Sequence, residues 1–426
     1  MPALALLFSI FALVRLNRTI QALAFVFILH GFRALEPILL ASLYFVAVKS
    51  LPRRFSLPFS WMFAIVALVW LNRVGKLVSW PNWCWQGALP RWNVIFKISL
   101  LRILSFGFDF HQREKETCSN CVNELCGKCR LSKRAGDFSL TSYFTFVFYP
   151  PLYLSGPIMT FNDFWWQNCS KRIVNRKQVA LYAARLVGSF LCLEVILHLF
   201  HVCAIKSAQA WGSNFTTQSY AGVAFLNLKV IWLKLLVIWR FARFFSLLDG
   251  IDPPENMNRC MSNNYSALMF WRSWHRSFNQ WIVRYLYVPL GGNRTTPYNL
   301  FPVFAFVALW HDVNWQLAAW GCLIPAFILP EILAKMVSKR FALQKLSWYH
   351  QLAAFGAALN IYLMMIANLV GFGVGIEGTK MMIHQIFGRG GAVFILSTFL
   401  MFYAAANLMF EVREEEFRRN GRYLSY

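Results

Sequence analysis

The chain is a succession of apolar stretches separated by short basic clusters, and this pattern restricts its fold more than any motif does. Hydrophobic residues make up 58% of the sequence and charged residues only 14%, unlike an ordinary soluble domain. Several stretches are shorter than the roughly 20 residues of a straight membrane span. We therefore predict an all-α polytopic membrane protein with about nine to eleven membrane helices plus re-entrant segments. The stretches cover residues 3–14, 20–32, 35–48, 59–71, 94–108, 138–161, 178–204, 221–241, 300–337, 349–375 and 391–410.

Proline and glycine interrupt the apolar stretches, most densely at Pro150, Pro151, Gly156 and Pro157. Broken backbone at membrane depth is tolerated only where protein or a water-filled cavity surrounds it. The pattern therefore indicates an internal chamber. Segment 143–167 is predicted to be re-entrant and interfacial, either as an aromatic anchor or in contact with substrate.

The formal net charge is +24, from 42 basic and 18 acidic residues. The basic residues lie in short clusters between apolar stretches rather than on a hydrophilic domain. This distribution favours positive-inside loops, anionic lipid headgroups or an anionic cofactor over nucleic acid. Membrane lipids are the expected surroundings.

The most hydrophilic insertion, residues 109–137, contains a C-x2-C-x4-C-x2-C array and is expected on the cytosolic side. Each C-x-x-C pair is a familiar half-site for structural zinc. Only four residues separate the pairs, so disulfides, lipidated thiols and plain surface cysteines remain alternatives. The cysteines of the array are Cys118, Cys121, Cys126 and Cys129.

A helix predicted from about Phe270 to Tyr287 concentrates polar residues on one side. Its first polar stripe is Arg272, His275 and Asn279, and a second stripe beside it is Arg276, Gln280 and Arg284. An arginine facing lipid at mid-bilayer costs roughly 2.5–3.5 kcal/mol. We therefore expect this helix to line a wet cavity or the protein interior.

His311 ends a continuous apolar stretch, and on one helical face it is predicted to lie among Phe304, Val307, Ala308, Trp315 and Ala318. Burial disfavours the charged form of an imidazole, and a neutral imidazole is what a general base requires. Such a histidine can take the proton from an acceptor hydroxyl as its oxygen attacks a thioester carbonyl. His275 or Asn279 would orient the acceptor or stabilise the developing charge.

Arginines near this region are candidate phosphate ligands. Arg240 and Arg243 share a helical face, so both could hold one phosphate group, although snorkelling to the interface explains them equally well. The sequence contains no G-x-S-x-G, H-x4-D, D-H-H-C, P-loop or H-E-x-x-H motif, which favours direct attack by the acceptor over a covalent intermediate. Coenzyme A is then the expected acyl carrier. The predicted substrate-binding residues are Arg240, Arg243, Arg272, Arg276, Asn279, Trp274 and Trp310.

The motif FWRSWHRSFNQWIVRYLYVPLGG, followed by ALWHD, resembles the two histidine motifs of the membrane-bound O-acyltransferase (MBOAT) family. LLRILSFGFDFH, YPPLYLSGPIMTFNDF and LKLLVIWRFARFFSLLDGIDPPENMNRC resemble its branch of glycerol-uptake proteins, which is related to Hedgehog acyltransferase. The resemblance covers residues 94–410. It implies a multi-helix arch with a central tunnel that acyl-CoA enters from the cytosol and the acceptor enters from the lumen or the membrane.

The resemblance also assigns roles. It implies that His311 is the catalytic base, that His275 is its first-motif partner, and that residues 94–410 form the catalytic core. Residues 1–93 are then N-terminal membrane helices, and 411–426 are a polar tail. The expected reaction is transfer of a long-chain acyl group to a lipid hydroxyl in the endoplasmic reticulum, with a lyso-GPI anchor lipid as a candidate acceptor.

Three other functions fit the same residues. Intramembrane histidine, arginine and glutamate also mark a proton-coupled transporter of glycerol or another small solute, although the two related halves typical of carriers are not apparent. The Hedgehog-acyltransferase relationship suggests N-acylation of a protein acceptor instead. A catalytically inactive scaffold is the third alternative. The sequence does not indicate an oligomeric state.

Overall fold

The computed structural model describes residues 17–73, 85–89, 91–112, 137–170, 175–208, 215–388 and 391–420, which form helices and connecting loops with no strand among them. The predicted all-α class is therefore confirmed. The α-helices are α1 (Arg18–His30), α2 (Leu35–Ser50), α3 (Arg53–Arg73), α4 (Trp92–Gln112), α5 (Leu140–Val147), α6 (Pro150–Tyr153), α7 (Phe161–Cys169), α8 (Arg176–Phe200), α9 (Val202–Ser207), α10 (Thr217–Leu248), α11 (Ala267–Ser273), α12 (Arg276–Ile282), α13 (Leu300–His311), α14 (Trp315–Arg340), α15 (Tyr349–Asn368), α16 (Gly375–Ile386) and α17 (Gly391–Asn420).

Seven helical stretches in the described part of the chain are long and apolar enough to cross a membrane, so this is a multi-pass membrane protein. They are Arg18–Ser50, Arg53–Arg73, Arg176–Phe200, Thr217–Leu248, Trp315–Arg340, Tyr349–Gly373 and Gly391–Arg419. The predicted total of about nine to eleven also counts shorter and broken segments, and it stays a prediction. The predicted first segment, 3–14, lies outside the described residues.

The chain divides into two compact units. The first comprises Met1–Leu186 and Ile238–Glu255, and the second comprises Val187–Val237 and Asn256–Tyr426. The predicted boundaries after residues 93 and 410 were based on the family resemblance, and they do not coincide with the boundaries of these two units. They remain predictions.

In the first unit, the segment with the prolines is broken into three short helices, α5 to α7. Side chains of α4 bind its interrupted backbone: the Arg102 guanidinium donates to the carbonyls of Val147 and Leu152, the first at 3.3 Å. The Asp109 carboxylate accepts from the Asn162 N–H at 3.0 Å. Arg102 and Asp109 are both buried. Buried side chains therefore satisfy backbone groups where this segment is broken, as irregular backbone inside a membrane protein requires.

In the second unit, α13 and α14 form a helical hairpin joined by residues 312–314. The Asn314 side chain caps α14 by accepting from the Leu317 N–H at 2.8 Å. Gly321 allows the two helices to approach closely, since a Cβ there would lie 3.0 Å from that of Ala308 and 3.3 Å from the Phe304 carbonyl oxygen. The hairpin fixes the position of His311 at the C-terminal end of α13.

A π-helical segment, Leu369–Gly373, continues α15 and packs against α14. A Cβ at Gly371 would lie 2.7 Å from ring atoms of Trp320, so glycine allows the backbone to approach this indole. Asn368 accepts from the indole N–H of Trp320 at 3.4 Å. The segment therefore holds Trp320 in place and presents Phe372 beside it, with ring centroids 5.2 Å apart.

Candidate active site

His275 lies on a sharp turn between α11 and α12. The sequence predicted one helix from about Phe270 to Tyr287, and this is wrong, because α11 ends at Ser273 and α12 begins at Arg276. His275 adopts the left-handed conformation, with φ 45° and ψ 51°. A non-glycine residue in this region is strained, and such strain concentrates at functional sites. The predicted stripe of Arg272, His275 and Asn279 therefore does not lie along a single helix.

Asn256 explains the break in the helix. Its carbonyl oxygen accepts from the Arg276 N–H, and its side-chain oxygen accepts from the Ser277 N–H, both at 3.1 Å. These N–H groups are at the start of α12, where no intrahelical acceptor is available. Asn256 itself is fully buried. A loop residue 19 positions before His275 therefore fixes the backbone that presents the imidazole.

His311 is half-buried and packs against two aromatic rings. Its ring centroid lies 5.1 Å from that of Phe372 and 5.9 Å from that of Trp320, in edge-to-face arrangements. Two of the predicted apolar neighbours, Phe304 and Val307, line the same cavity as His311, but two others do not lie on its helix. Trp315 and Ala318 belong to α14, beyond the end of the helix that carries His311, and Trp315 is 87% exposed.

Trp310 contacts both histidines. Its nearest ring centroid lies 6.1 Å from the His275 imidazole and 4.8 Å from the His311 imidazole. It also packs on Phe278, at 4.5 Å. Trp310 is buried, and it packs against both imidazoles.

Both histidines line one cavity of about 600 Å³, which is formed entirely by residues of the second unit. This volume is typical of a small-molecule or lipid-binding pocket. Of the predicted substrate-binding residues, Arg272, Trp274 and Asn279 also line it. Its apolar lining includes Leu228, Ile231, Leu235, Ile282, Val303, Val307, Ile328 and Ile332.

The cavity also has polar lining that sequence analysis missed. Lys335 and Lys339, one turn apart on α14, add two cations. The Tyr287 hydroxyl lies 3.0 Å from Asn293 Oδ1 and 2.6 Å from Thr296 Oγ1, and all three residues line the cavity. Lysines at the end of an apolar helix are common at the membrane–water interface, so their positions in the sequence did not indicate that they line a cavity.

The remaining predicted phosphate ligands are placed elsewhere. Arg243 binds Asp252 at 2.8 Å and Glu255 at 3.2 Å, and Arg240 lies 4.0 Å from Glu255. Both arginines belong to the first unit and are absent from the described lining of the cavity, as is Arg276 of the second unit. Their role in phosphate binding stays a prediction.

The predicted zinc array lies outside the described residues, because Cys118, Cys121, Cys126 and Cys129 fall within 113–136. In the part of the chain that the structure describes, no three histidine, cysteine, aspartate or glutamate side chains are grouped to hold a metal ion. The zinc hypothesis therefore rests on the cysteine spacing alone.

Burial makes His275 a neutral imidazole. It is 8% exposed and lies outside the seven candidate spans. The pKa of His275 is lowered from its ordinary value of 6.5 to about 3, mainly by loss of hydration and in part by the neighbouring His311. At neutral pH the ring therefore has one donor and one acceptor nitrogen.

Acidification is expected to destabilise the protein through His275. Between its pKa of about 3 in the folded state and its ordinary value of 6.5, only the unfolded chain binds the proton. Stability is therefore lost as the pH falls below 6.5, by about 2 kcal/mol at pH 5 relative to pH 7. Thermal unfolding of detergent-solubilised protein at the two pH values would measure this.

His275→Asn is the matched control for this prediction, because asparagine tolerates the left-handed conformation and does not titrate. Groups remote from His275 titrate alike in both proteins, so the difference in acid sensitivity reports the loss of this imidazole together with its electrostatic interaction with His311. Equal losses of melting temperature in the two proteins between pH 7 and pH 5 would contradict the prediction.

Comparison with known proteins places this cavity in a family. The model of the membrane-bound O-acyltransferase family matches residues 90–375, a range that includes both histidines and most of the cavity lining. The chain belongs to the MBOAT family. The predicted family resemblance is therefore confirmed.

The relatives of this MBOAT protein support the predicted branch. It is 43% identical over 357 residues to membrane-bound O-acyltransferase GUP1 of Saccharomyces cerevisiae, covering 80% of this chain and 63% of the relative. It is also 43% identical over 346 residues to gup1 of Schizosaccharomyces pombe, covering 78% of this chain and 59% of the relative. The chain therefore spans about three fifths of the length of these relatives.

A more distant relative is named for a different acceptor, a protein cysteine. The chain is 26% identical over 299 residues to protein-cysteine N-palmitoyltransferase HHAT of Mus musculus, covering 65% of this chain and 58% of the relative. The names of its relatives therefore include both an O-acyltransferase and an N-acyltransferase.

Proposed function

We propose that this protein is a membrane acyltransferase that moves a long-chain acyl group from acyl-CoA to a hydroxyl of a lipid acceptor, with His311 as the general base. The observation that carries the proposal is that His275 and His311 line the same largely apolar cavity. The family membership supports the reaction class. The proposed location is the membrane of the endoplasmic reticulum.

In the proposed reaction, His311 takes the proton of the acceptor hydroxyl while the hydroxyl oxygen attacks the thioester carbonyl carbon. The C–S bond then breaks, the ester bond forms, and the proton passes from His311 to the sulfur, so that CoA leaves as a thiol. A positioned base of this kind contributes about 10²–10⁴-fold to the rate. Trp320 and Phe372 cover part of the His311 imidazole and so reduce the access of water, which would otherwise compete as acceptor.

His275 and Asn279 are proposed to act on the acceptor or on the developing oxyanion. Both line the cavity. A neutral His275 can donate one hydrogen bond, and a donor fixed before the reaction stabilises charge at little reorganisation cost. Its strained backbone, clamped by Asn256, supports such a fixed role.

The cavity wall along α14 suits a long acyl chain. Trp320, Ile328 and Ile332 all line the cavity, and Ile332 lies twelve positions after Trp320 on the helix. At about 1.5 Å per residue, this wall is about 18 Å long. Lys339 follows it and supplies positive charge for the phosphates of CoA, whereas the neighbouring Lys335 is paired with Glu331. Arg272 is a third cation of the lining, and Arg240, Arg243 and Arg276 stay predicted ligands.

The acceptor is proposed to be a lipid, with a lyso-GPI anchor lipid as the first candidate. The similarity to the GUP1 proteins favours O-acylation, whereas the similarity to HHAT favours transfer to an N-terminal cysteine. The higher identity to the O-acyltransferases supports O-acylation as the proposed reaction. The transporter alternative requires solute movement across a sealed membrane instead.

The test uses purified protein in detergent with labelled long-chain acyl-CoA. The acceptor panel contains a lyso-GPI lipid, a peptide with N-terminal cysteine, and no acceptor. The expected result is CoA release that depends on the lipid and yields an alkali-labile ester. An alkali-stable product on the peptide would show that the reaction is N-acylation rather than O-acylation. Glycerol uptake into sealed vesicles without any CoA release would replace the enzyme by a carrier.

A further inference from the structure

Glu331 is the one carboxylate in the sequence of α14, and it is buried, with its side chain 6% exposed. It accepts hydrogen bonds from the Ser266 hydroxyl, from the Leu268 N–H at 3.3 Å and from Asn360 Nδ2 at 3.3 Å. The Lys335 ammonium forms an ion pair with it. A buried carboxylate is tolerated only when charge and hydrogen-bond partners satisfy both oxygens, and here they do. An ionisable residue in a membrane span is a candidate for function.

These contacts fasten the N-terminus of α11. Ser266 precedes that helix, and its hydroxyl accepts from the Met269 N–H at 3.2 Å while donating to Glu331. The Leu268 N–H, which has no acceptor within the helix, donates to the same carboxylate. A negative charge at this end also complements the helix dipole. Since α11 has only seven residues, its position depends on such tertiary contacts.

The helix fastened in this way leads directly to His275. The Trp274 N–H closes its last turn on the Phe270 carbonyl at 2.8 Å, and His275 follows in the left-handed conformation. Downstream, Asn256 holds the N–H groups of Arg276 and Ser277. The turn is therefore clamped on both sides.

The ion pair also connects this clamp to the cavity. Lys335 lines the same cavity as His275, and Glu331 lies one turn before it on α14. Asn360 brings in a third helix, α15. The carboxylate thus joins α11, α14 and α15 at the cavity wall.

We infer that Glu331 is a positioning residue for His275: its carboxylate, through Ser266 and Leu268, sets the placement of the turn that presents this imidazole to the substrate. The inference rests on the proposed acyltransferase function. A displacement of about 1 Å in a reacting constellation can lower the rate by about 10²-fold. Loss of the link should therefore lower kcat, whereas the KM for acyl-CoA should stay near the original value, because the apolar wall is unchanged.

The decisive variant is Glu331→Gln, which keeps the volume and removes the charge. We expect kcat to fall about ten- to hundredfold with KM nearly unchanged. Ser266→Ala cuts the same link from its other side and should have a similar effect. Because the two changes remove one link, the double variant should be no slower than the slower single variant, which is a non-additivity that a general packing defect does not produce.

Glu414→Gln is the matched control, since Glu414 pairs with Arg418 four residues on, at 3.5 Å, but is exposed. Its kcat should equal that of the unmodified protein. An unchanged kcat in folded Glu331→Gln, a loss confined to KM, or additive effects would overturn the inference. If Glu331→Gln does not yield folded protein, Ser266→Ala alone tests the inference, which again requires a lower kcat with a nearly unchanged KM.

Failure of the inference and failure of the proposed function are separable. If the unmodified protein releases no CoA in the presence of any acceptor, the proposed function fails. If it releases CoA, and His311→Ala does not, while Glu331→Gln and Ser266→Ala keep the original kcat, only the positioning role fails. Monodisperse gel filtration and a cooperative thermal unfolding transition above the assay temperature establish that each variant is folded.

Discussion

Replacing His311 by alanine is expected to lower kcat for acyl transfer by about 10²–10⁴-fold, the usual contribution of a positioned general base. The substitution removes the imidazole but leaves Trp320 and Phe372, which pack against it. The apolar wall for the acyl chain also stays, so the KM for acyl-CoA should change little. Acceptor-dependent CoA release by purified protein, followed with a thiol reagent at saturating acyl-CoA, measures the loss.

His350→Ala is the control for this substitution. His350 is on α15 in the same unit, where its ring packs on Phe410 at 5.2 Å, and it is not part of the cavity lining. The control should keep the original kcat. A His311→Ala protein that is folded and still transfers acyl groups at the original rate would show that another group is the base.

Sequence analysis predicted a candidate reaction centre because catalytic chemistry needs particular side chains, and these stand out in an apolar chain. His275 and His311 were identified from their polar and apolar surroundings, and the structure places both in one cavity. The helix break at His275 was missed because its cause, Asn256, is remote in sequence and lies in an irregular loop. Periodicity describes a segment and not the partners that interrupt it.

The walls of the cavity were harder to predict than its histidines. A helix drawn through His311 placed Trp315 beside it, but the chain reverses at residues 312–314 and brings Trp320 there instead. Phe372 arrives from a π-helical segment some 60 residues later. Aromatic residues are frequent in this chain, so only the tertiary fold distinguishes the rings that pack against His311.

Charged residues show the same limit. Arg240 and Arg243 suggested a phosphate site by their spacing, but Asp252 and Glu255 in the following loop pair with them. Glu331 was overlooked although a carboxylate inside an apolar stretch is itself a signal. A charge pattern indicates that a partner is needed, and the fold decides whether the partner is a protein group or a ligand.

Replacing Ile332 by tryptophan is expected to shift the preferred donor towards shorter acyl chains. Ile332 lines the cavity about 18 Å along α14 from Trp320, the ring that contacts His311. A larger side chain there should exclude the far end of a long chain. Loss of contacts to three methylene groups, at about 0.8 kcal/mol each, lowers kcat/KM for that donor roughly sixtyfold. Donors shortened by a few carbons should keep nearly the original kcat/KM.

Leu333→Trp separates a blocked cavity from a general effect of tryptophan in α14. Leu333 is the next residue on the same helix, but it is 47% exposed and absent from the described lining of the cavity. This variant should keep the original dependence of kcat/KM on chain length. Both proteins are compared with the same series of saturated acyl-CoA donors, and only the Ile332→Trp profile should shift. If the two profiles coincide, the acyl chain does not lie along this face of α14, and the cavity then holds another part of the substrate.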